Sequence, residues 1–284
     1  MMRISVRSFG ICIGFLALLA GTASAETLRR IEDSGTIRIG YRADALPHSY
    51  EDASGRPQGY IIDLCREVVV AVQTELKPAT VRAEFVRVTS QDRFEAVRDG
   101  RVDILCEASS ITMARRSMVD FSIPTFVDGA GIAFRGKEIT RFEDFAGRKV
   151  GVLAGTTTHD LLRTTLAALG IKAEIILAND HRSGIGNLID GRIDSYFADR
   201  AILAYLYGRT DTNRNFRIGR QYFSYETYAL ALPRGDTEFR WLVDRTLAQL
   251  ARDGRMAALA SRNFSIASDR MLDALIAINS VPED

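Results

Sequence analysis

One short phrase occurs twice in this chain. DGRVDIL runs from Asp99 to Leu105, and DGRIDSYF runs from Asp190 to Phe197. Each reads as the end of a helix, a glycine that turns the chain, and a strand with apolar residues at alternating positions. The two copies lie about ninety positions apart, far beyond the roughly 20–50-residue period of stacked repeats. The pattern fits two α/β units of similar plan. Asp-Gly turns are common in any sequence, so the flanking segments decide whether the repetition has meaning.

Those segments alternate between strand and helix character. Ile37 to Gly40 reads as a strand, and GYIIDLCREVVVAVQTEL places Ile61, Leu64, Cys65, Val68 and Val72 on one helical face. VRAEFVRV is a strand. TSQDRFEAVRDG is a short helix, with Thr89 and Asp92 in a capping-box pattern and Gly100 as its stop. A second unit repeats the plan: a strand at Lys149 to Leu153, the turn AGTTTHD, a helix face of Leu161, Leu162, Thr165, Leu166 and Leu169, and a strand AEIILA before the second phrase. YETYALALPRG is a further strand, followed by helices near Phe239 to Leu250 and Met256 to Phe264. β–α–β alternation predicts helices packed on sheets. At 284 residues and 46% hydrophobic, the chain has enough apolar material for two such lobes.

The first 25 residues read differently. Arg3 and Arg7 precede the apolar run FGICIGFLALLAG, and TASA stands before Glu26. A basic start, a short apolar core and an Ala-x-Ala ending are the marks of a secretory signal peptide with cleavage after Ala25. The run is too short for a membrane span, and the residue directly after the cleavage point is Glu26, not a cysteine that could carry a lipid anchor. Without Arg3 and Arg7 the formal charge falls from +1 to −1. A near-neutral chain has no basic field for nucleic acid. Cys12 leaves with the leader, while Cys65 and Cys106 remain. In an exported protein they are candidates for a disulfide, the alternative being two buried free thiols.

In open α/β sheets, ligands sit beyond the carboxyl ends of the strands. CEASSITMARR follows the first phrase strand and ADR closes the second. One lobe therefore offers Ser110 and the guanidinium of Arg115, suited to gripping a carboxylate. The other offers the carboxylate of Asp199, suited to an ammonium. An α-amino acid carries both groups. AGTTTHD and TSQDR each open a helix, where Thr156, Thr157, Ser90 and Arg93 have either a capping or an anion-binding use. Arg42 lies just past a strand end, and His181 reads as a loop residue. The sequence contains no G-x-S-x-G elbow, P-loop, H-E-x-x-H or Cys-rich metal spacing, and its three histidines are scattered. No catalytic residue, cofactor or metal is expected.

Taken in order, YRADALPHSY, GYIIDLC, VTSQDR, DGRVDILCEASSITMARR, DFSIPTF, AGTTTHDLL, NDH and YFADRAIL make the chain resemble the periplasmic amino-acid-binding proteins of ABC importers, the family-3 extracellular solute-binding proteins. The glutamate/aspartate-binding subgroup is the nearest in pattern. The resemblance spans nearly all of the chain after the leader. It implies an α/β, two-lobed periplasmic-binding-protein fold (type II) with two hinge strands. Lobe 1 would take residues 26–133, lobe 2 residues 134–225, and residues 226–284 would return to lobe 1; the hinges would lie near Gly129 to Phe134 and Glu226 to Leu232.

The resemblance also implies roles. Arg115 and Ser110 would hold the α-carboxylate, with the backbone of Ala108 assisting, and Asp199 the α-ammonium. Arg42, Ser90, Arg93 and His181 would surround a side-chain carboxylate, and Thr157 with its neighbour Thr156 would contribute from lobe 2. The expected partners are glutamate or aspartate and the permease of an importer, with the protein a periplasmic monomer. Three departures from the subgroup stand out: Ala108 where a serine is usual, Ile111-Thr112 where two asparagines are usual, and His48 where an aromatic residue is usual. Dehydratases of cyclic amino acids share the pattern and form the enzymatic alternative. A receptor module, or a binder of another polar amino acid, is the non-enzymatic one.

Overall fold

Each copy of the repeated phrase ends in the central strand of a five-stranded sheet. In the computed structural model, residues 26–77, 80–209, 215–264 and 270–282 are described. The leader assigned to residues 1–25 lies outside the described residues. The first part of the chain forms α1 (Glu26–Ser34), β1 (Thr36–Tyr41), the short strands β2 (Asp44–Ala45), β3 (Ser49–Glu51) and β4 (Pro57–Gln58), α2 (Tyr60–Glu75), β5 (Arg82–Arg87), α3 (Arg93–Arg98), β6 (Ile104–Leu105), α4 (Met113–Arg116), β7 (Asp120–Phe121) and β8 (Phe126–Asp128). The second part forms β9 (Ala130–Phe134), β10 (Lys149–Leu153), α5 (Thr157–Ala168), β11 (Glu174–Ala178), α6 (His181–Ile189), β12 (Ser195–Asp199), α7 (Arg200–Arg209) and β13 (Arg217–Ile218). The chain then adds β14 (Glu226–Tyr228), β15 (Ala231–Leu232), α8 (Thr237–Arg252), α9 (Arg255–Phe264) and α10 (Arg270–Asn279).

The two sheets have the same plan. The first has the order β5-β1-β6-β15-β7 and the second β11-β10-β12-β9-β13. In each, the first three strands are parallel. The fourth runs antiparallel to the central strand. The phrase strands β6 and β12 are therefore equivalent, which is the physical content of the repetition. Helices cover both faces, so the central strands are apolar throughout; all five residues of β12 are buried. Strand alternation divides them between two cores. Phe197 packs with Val150, Val152, Leu162 and Leu166 on one face of the second sheet. Tyr196 and Ala198 pack with Ile185, Leu188 and Leu203 on the other.

Cys65, on the buried face of α2, and Cys106, just past β6, form a disulfide with a Cα–Cα distance of 6.3 Å. This closes the choice left open by the sequence. It ties the main helix of the first lobe to the strand that delivers the repeated motif.

The crossings between lobes differ from expectation. The sequence pattern places β9 in lobe 1 and a hinge, but it is hydrogen-bonded to β12 and β13 and belongs to the second sheet. All five of its residues are buried there. The antiparallel pair between the lobes is instead β8 with β14, in the register Glu226↔Asp128, Thr227↔Val127 and Tyr228↔Phe126. The single strand expected from Glu226 to Leu232 is broken for the same reason: β14 pairs in the hinge, while β15 joins the first sheet. Gly129 makes the crossing possible. A Cβ there would stand 1.8 Å from the carbonyl oxygen of Ser224, just before β14 on the returning chain.

Candidate ligand-binding cleft

The parallel strands of the two sheets end facing one another, and the sequence-predicted residues follow those ends. Arg42 follows β1, Ser90 and Arg93 follow β5, and Ala108, Ser110 and Arg115 follow β6. On the second lobe Thr156 and Thr157 follow β10, His181 follows β11, and Asp199 ends β12. This is the strand-end placement expected for a ligand cleft in α/β sheets.

The lobes touch through these residues. Ser90 Oγ donates to Ala154 O at 2.8 Å, and Arg93 Nη2 donates to Gly155 O at 3.1 Å. Ser110 Oγ lies 3.2 Å from Thr157 Oγ1. Thr157 Oγ1 in turn donates to Glu226 Oε2 at 2.6 Å, and the His181 amide faces Asp44 Oδ2 at 3.4 Å. The cleft is closed.

At one end Arg115 Nη1 donates to Ser110 O at 2.8 Å, and its guanidinium lies 4.7 Å from the Phe94 ring centroid. Arg93 lies at the same distance from that ring, so one aromatic side chain spaces two cations. Thr112 caps α4 and fixes the position of Arg115 by accepting from its amide. Opposite stands an acidic group. Asp199 is buried, and its Oδ1 has no hydrogen-bond partner among the described residues. Burial, reinforced by the charges of Asp128 and Glu226, holds its carboxyl well above the usual range. Burial likewise pushes Asp128 up to about 7. A cation entering beside them would relieve this strain by favouring the charged carboxylates.

At the other end two buried guanidiniums are already paired. Arg42 grips Asp44 through three contacts of 2.7–2.9 Å. It also lies 3.9 Å from Glu107. Arg93 Nε is 3.1 Å from Glu107 Oε1 but not aligned for a hydrogen bond. Burial, together with the nearby charges of Arg115 and Arg42, lowers Arg93 to about 10. His181 is not in a loop as expected; it is the first residue of α6, whose N-cap is Asp180. Its Nδ1 lies 3.0 Å from the Tyr196 hydroxyl, and burial first, then Arg42, lowers its pKa to about 4, so the ring is neutral.

Some expected contacts serve the fold instead. Thr156 is the N-cap of α5, and its hydroxyl is used by His159 N, Leu153 O and Thr158. The proposed Thr89–Asp92 capping box exists as hydrogen bonds, but it precedes the helix, which starts at Arg93. Ser90 is therefore a cross-lobe latch rather than a first-turn residue. Sequence reasoning alone does not single out Glu107, Asp44, Asp128 and Glu226. Their signal was present: an acid sits next to or within two positions of a strand end or of a proposed basic residue. A groove of about 1170 Å³ also runs along the lobe junction and shares Asp44 and Ser90 with the cluster, but not Arg93, Arg115 or Asp199.

A family model for bacterial extracellular solute-binding proteins, family 3, matches residues 37–266. The chain is 31% identical over 255 residues to the L-glutamate/L-aspartate-binding protein of Pseudomonas aeruginosa, covering 88% of this chain and 84% of that one. It is 31% identical over 248 residues to the glutamate/aspartate import solute-binding protein of Salmonella typhimurium, covering 84% and 82%. Among solved structures, an ancestral amino acid-binding protein described as a precursor of cyclohexadienyl dehydratase has a TM-score of 0.74 and 29% identity, covering 84% of this chain and 99% of that one. Two like sheets joined by a paired hinge and closed on a polar cluster thus accompany a family match over most of the chain: the protein is a bacterial extracellular solute-binding protein of family 3, with the type II periplasmic-binding-protein fold.

Proposed function

We propose that this protein captures a polar α-amino acid between its lobes in the periplasm and delivers it, as a monomer, to the permease of an ABC importer. The observation that carries the reading is the meeting of unlike charges at facing strand ends: Ser110 and Arg115 follow β6 on lobe 1, Asp199 ends β12 on lobe 2, and Ser110 Oγ lies 3.2 Å from Thr157 Oγ1 across the junction. Arg115 with Ser110 and the Ala108 backbone would take the α-carboxylate, and Asp199 the α-ammonium. Each charge is desolvated on closure and needs a fixed partner there. Contacts from both lobes would favour the closed state by their differential affinity.

For the side chain, the names of the two bacterial relatives support glutamate or aspartate, as do Arg42, Arg93 and His181 at the far end of the cluster. A second reading, an uncharged amide side chain, is favoured by the ion pairs that Arg42 and Arg93 already make with Asp44 and Glu107. The test of the common core is a calorimetric screen of amino acids on refolded, ligand-stripped protein. Arg115→Ala should weaken every amino acid that binds by at least about twenty-fold, from the 2–5 kcal/mol typical of losing one partner of a buried charge pair. Unchanged affinity in the folded variant would remove Arg115 from the site.

A further inference from the structure

We infer that Glu107 sets ligand specificity by acting as a built-in carboxylate, which neutralises the far end of the cleft and matches it to an uncharged carboxamide side chain instead of a second carboxylate. This rests on the reading above, in which Arg115 and Asp199 hold the α-groups. Glu107 follows β6 directly and is 0% exposed. Its Oε1 faces Arg93 Nε at 3.1 Å and accepts from Ser109 Oγ, while Oε2 lies 3.9 Å from Arg42. Arg42 is matched again by Asp44. Two guanidiniums thus face two carboxylates, and the neutral imidazole of His181 adds no charge.

A ligand carboxylate brought to this place would meet Glu107 as a like charge in a dry environment. Two carboxylates sharing such a site cannot both stay ionised without cost. The free atoms point to another group. Among the described residues, Arg93 Nη1 is a buried donor without a hydrogen-bond partner, and Glu107 Oε2 is a buried acceptor without one. They belong to the two members of one ion pair. A carboxamide supplies both missing halves, its oxygen accepting from the guanidinium and its NH₂ donating to the carboxylate. A carboxylate supplies only the acceptor, and an alkyl side chain supplies neither. Discrimination follows because the poorer ligand leaves buried polar atoms unpaired.

Isothermal titration of ligand-stripped wild-type protein with glutamine and glutamate at pH 7 reads this directly. Glutamine should bind at least about tenfold more tightly. In Glu107→Gln the ratio should move toward glutamate by about tenfold or more, because one negative charge is gone while both guanidiniums remain. Glu107→Ala should move it in the same direction. A wild-type protein that prefers glutamate overturns the inference, whether or not either variant folds; so does a ratio unchanged in both folded variants. Glutamate preference with binding still lost in Arg115→Ala overturns this inference alone, whereas wild-type protein that binds no amino acid overturns the reading beneath it too.

Discussion

His48 is an imidazole enclosed by aromatic rings. Its centroid lies 4.8 Å from that of Phe126, 5.0 Å from Phe264 and 5.4 Å from Tyr228. It is fully buried, and neither ring nitrogen has a hydrogen-bond partner among the described residues. The sequence marks His48 as a departure from an aromatic residue, and its surroundings are those of one. Burial lowers its pKa to about 3. The folded state therefore refuses a proton that the unfolded chain accepts near pH 6.5. The neutral ring's contribution is complete above pH 6.5 and is lost as pH falls toward 3. His48→Phe removes this sensitivity. Its stability advantage over wild type should grow by about 2 kcal/mol between pH 7 and pH 5, measured by urea unfolding of both proteins. A constant difference would mean that His48 is protonated or solvated in the folded state. The same lesson applies to Arg42 and Arg93. Their positions at strand ends are legible in sequence, and Asp44 stands two residues from Arg42, but Glu107 meets Arg42 and Arg93 only in space.

Among the elements, α2 and β6 depend on each other most directly. The Cys65–Cys106 bond closes a chain segment with a sequence separation of 41. A loop of that size constrains the unfolded chain by about 4 kcal/mol in the loop-entropy model. The double variant Cys65→Ala, Cys106→Ala should lose roughly 2–4 kcal/mol of unfolding free energy, read by denaturant titration. Its ligand affinity should change little, since neither sulfur lies in the polar cluster. A marked loss of affinity in the folded double variant would show that the bond positions Glu107 and Ser110 as well. The helical and strand patterns of α2, α5, β5, β10 and β11 are strong enough to be read in sequence. The division of Glu226 to Leu232 into β14 and β15 is not, because both halves are apolar and strand-like. Which sheet each joins is decided by the strand beside it.

For the whole molecule, closure brings two backbones together. Gly155 on lobe 2 has φ +74°, and a Cβ there would stand 2.6 Å from the carbonyl oxygen of Ser90 on lobe 1. Gly155→Ala therefore carries two costs. The left-handed backbone costs about 1–2 kcal/mol in the open and closed states alike. The clash with Ser90 exists only when the lobes meet. The variant should melt somewhat lower without ligand and bind its amino acid at least about tenfold more weakly. Small-angle scattering should show less compaction on adding ligand than for wild type. Full compaction and unchanged affinity would mean that the bound state is not the closed arrangement described here.

The repeated phrase, the helical faces and the basic residues at strand ends are local signals, and the sequence alone carries them. They determine two α/β units, the family resemblance, and an amino acid as the expected cargo. Pairing is a property of three-dimensional neighbours. Only the tertiary structure decides that β9 crosses into the second sheet, that the thiols at Cys65 and Cys106 meet, and that His181 opens a helix. It also decides the charge balance of the cleft. Arg42 and Arg93 read in sequence as free cations, but the fold lays Asp44 and Glu107 against them in a dry interior, where a charge is defined by its nearest partner.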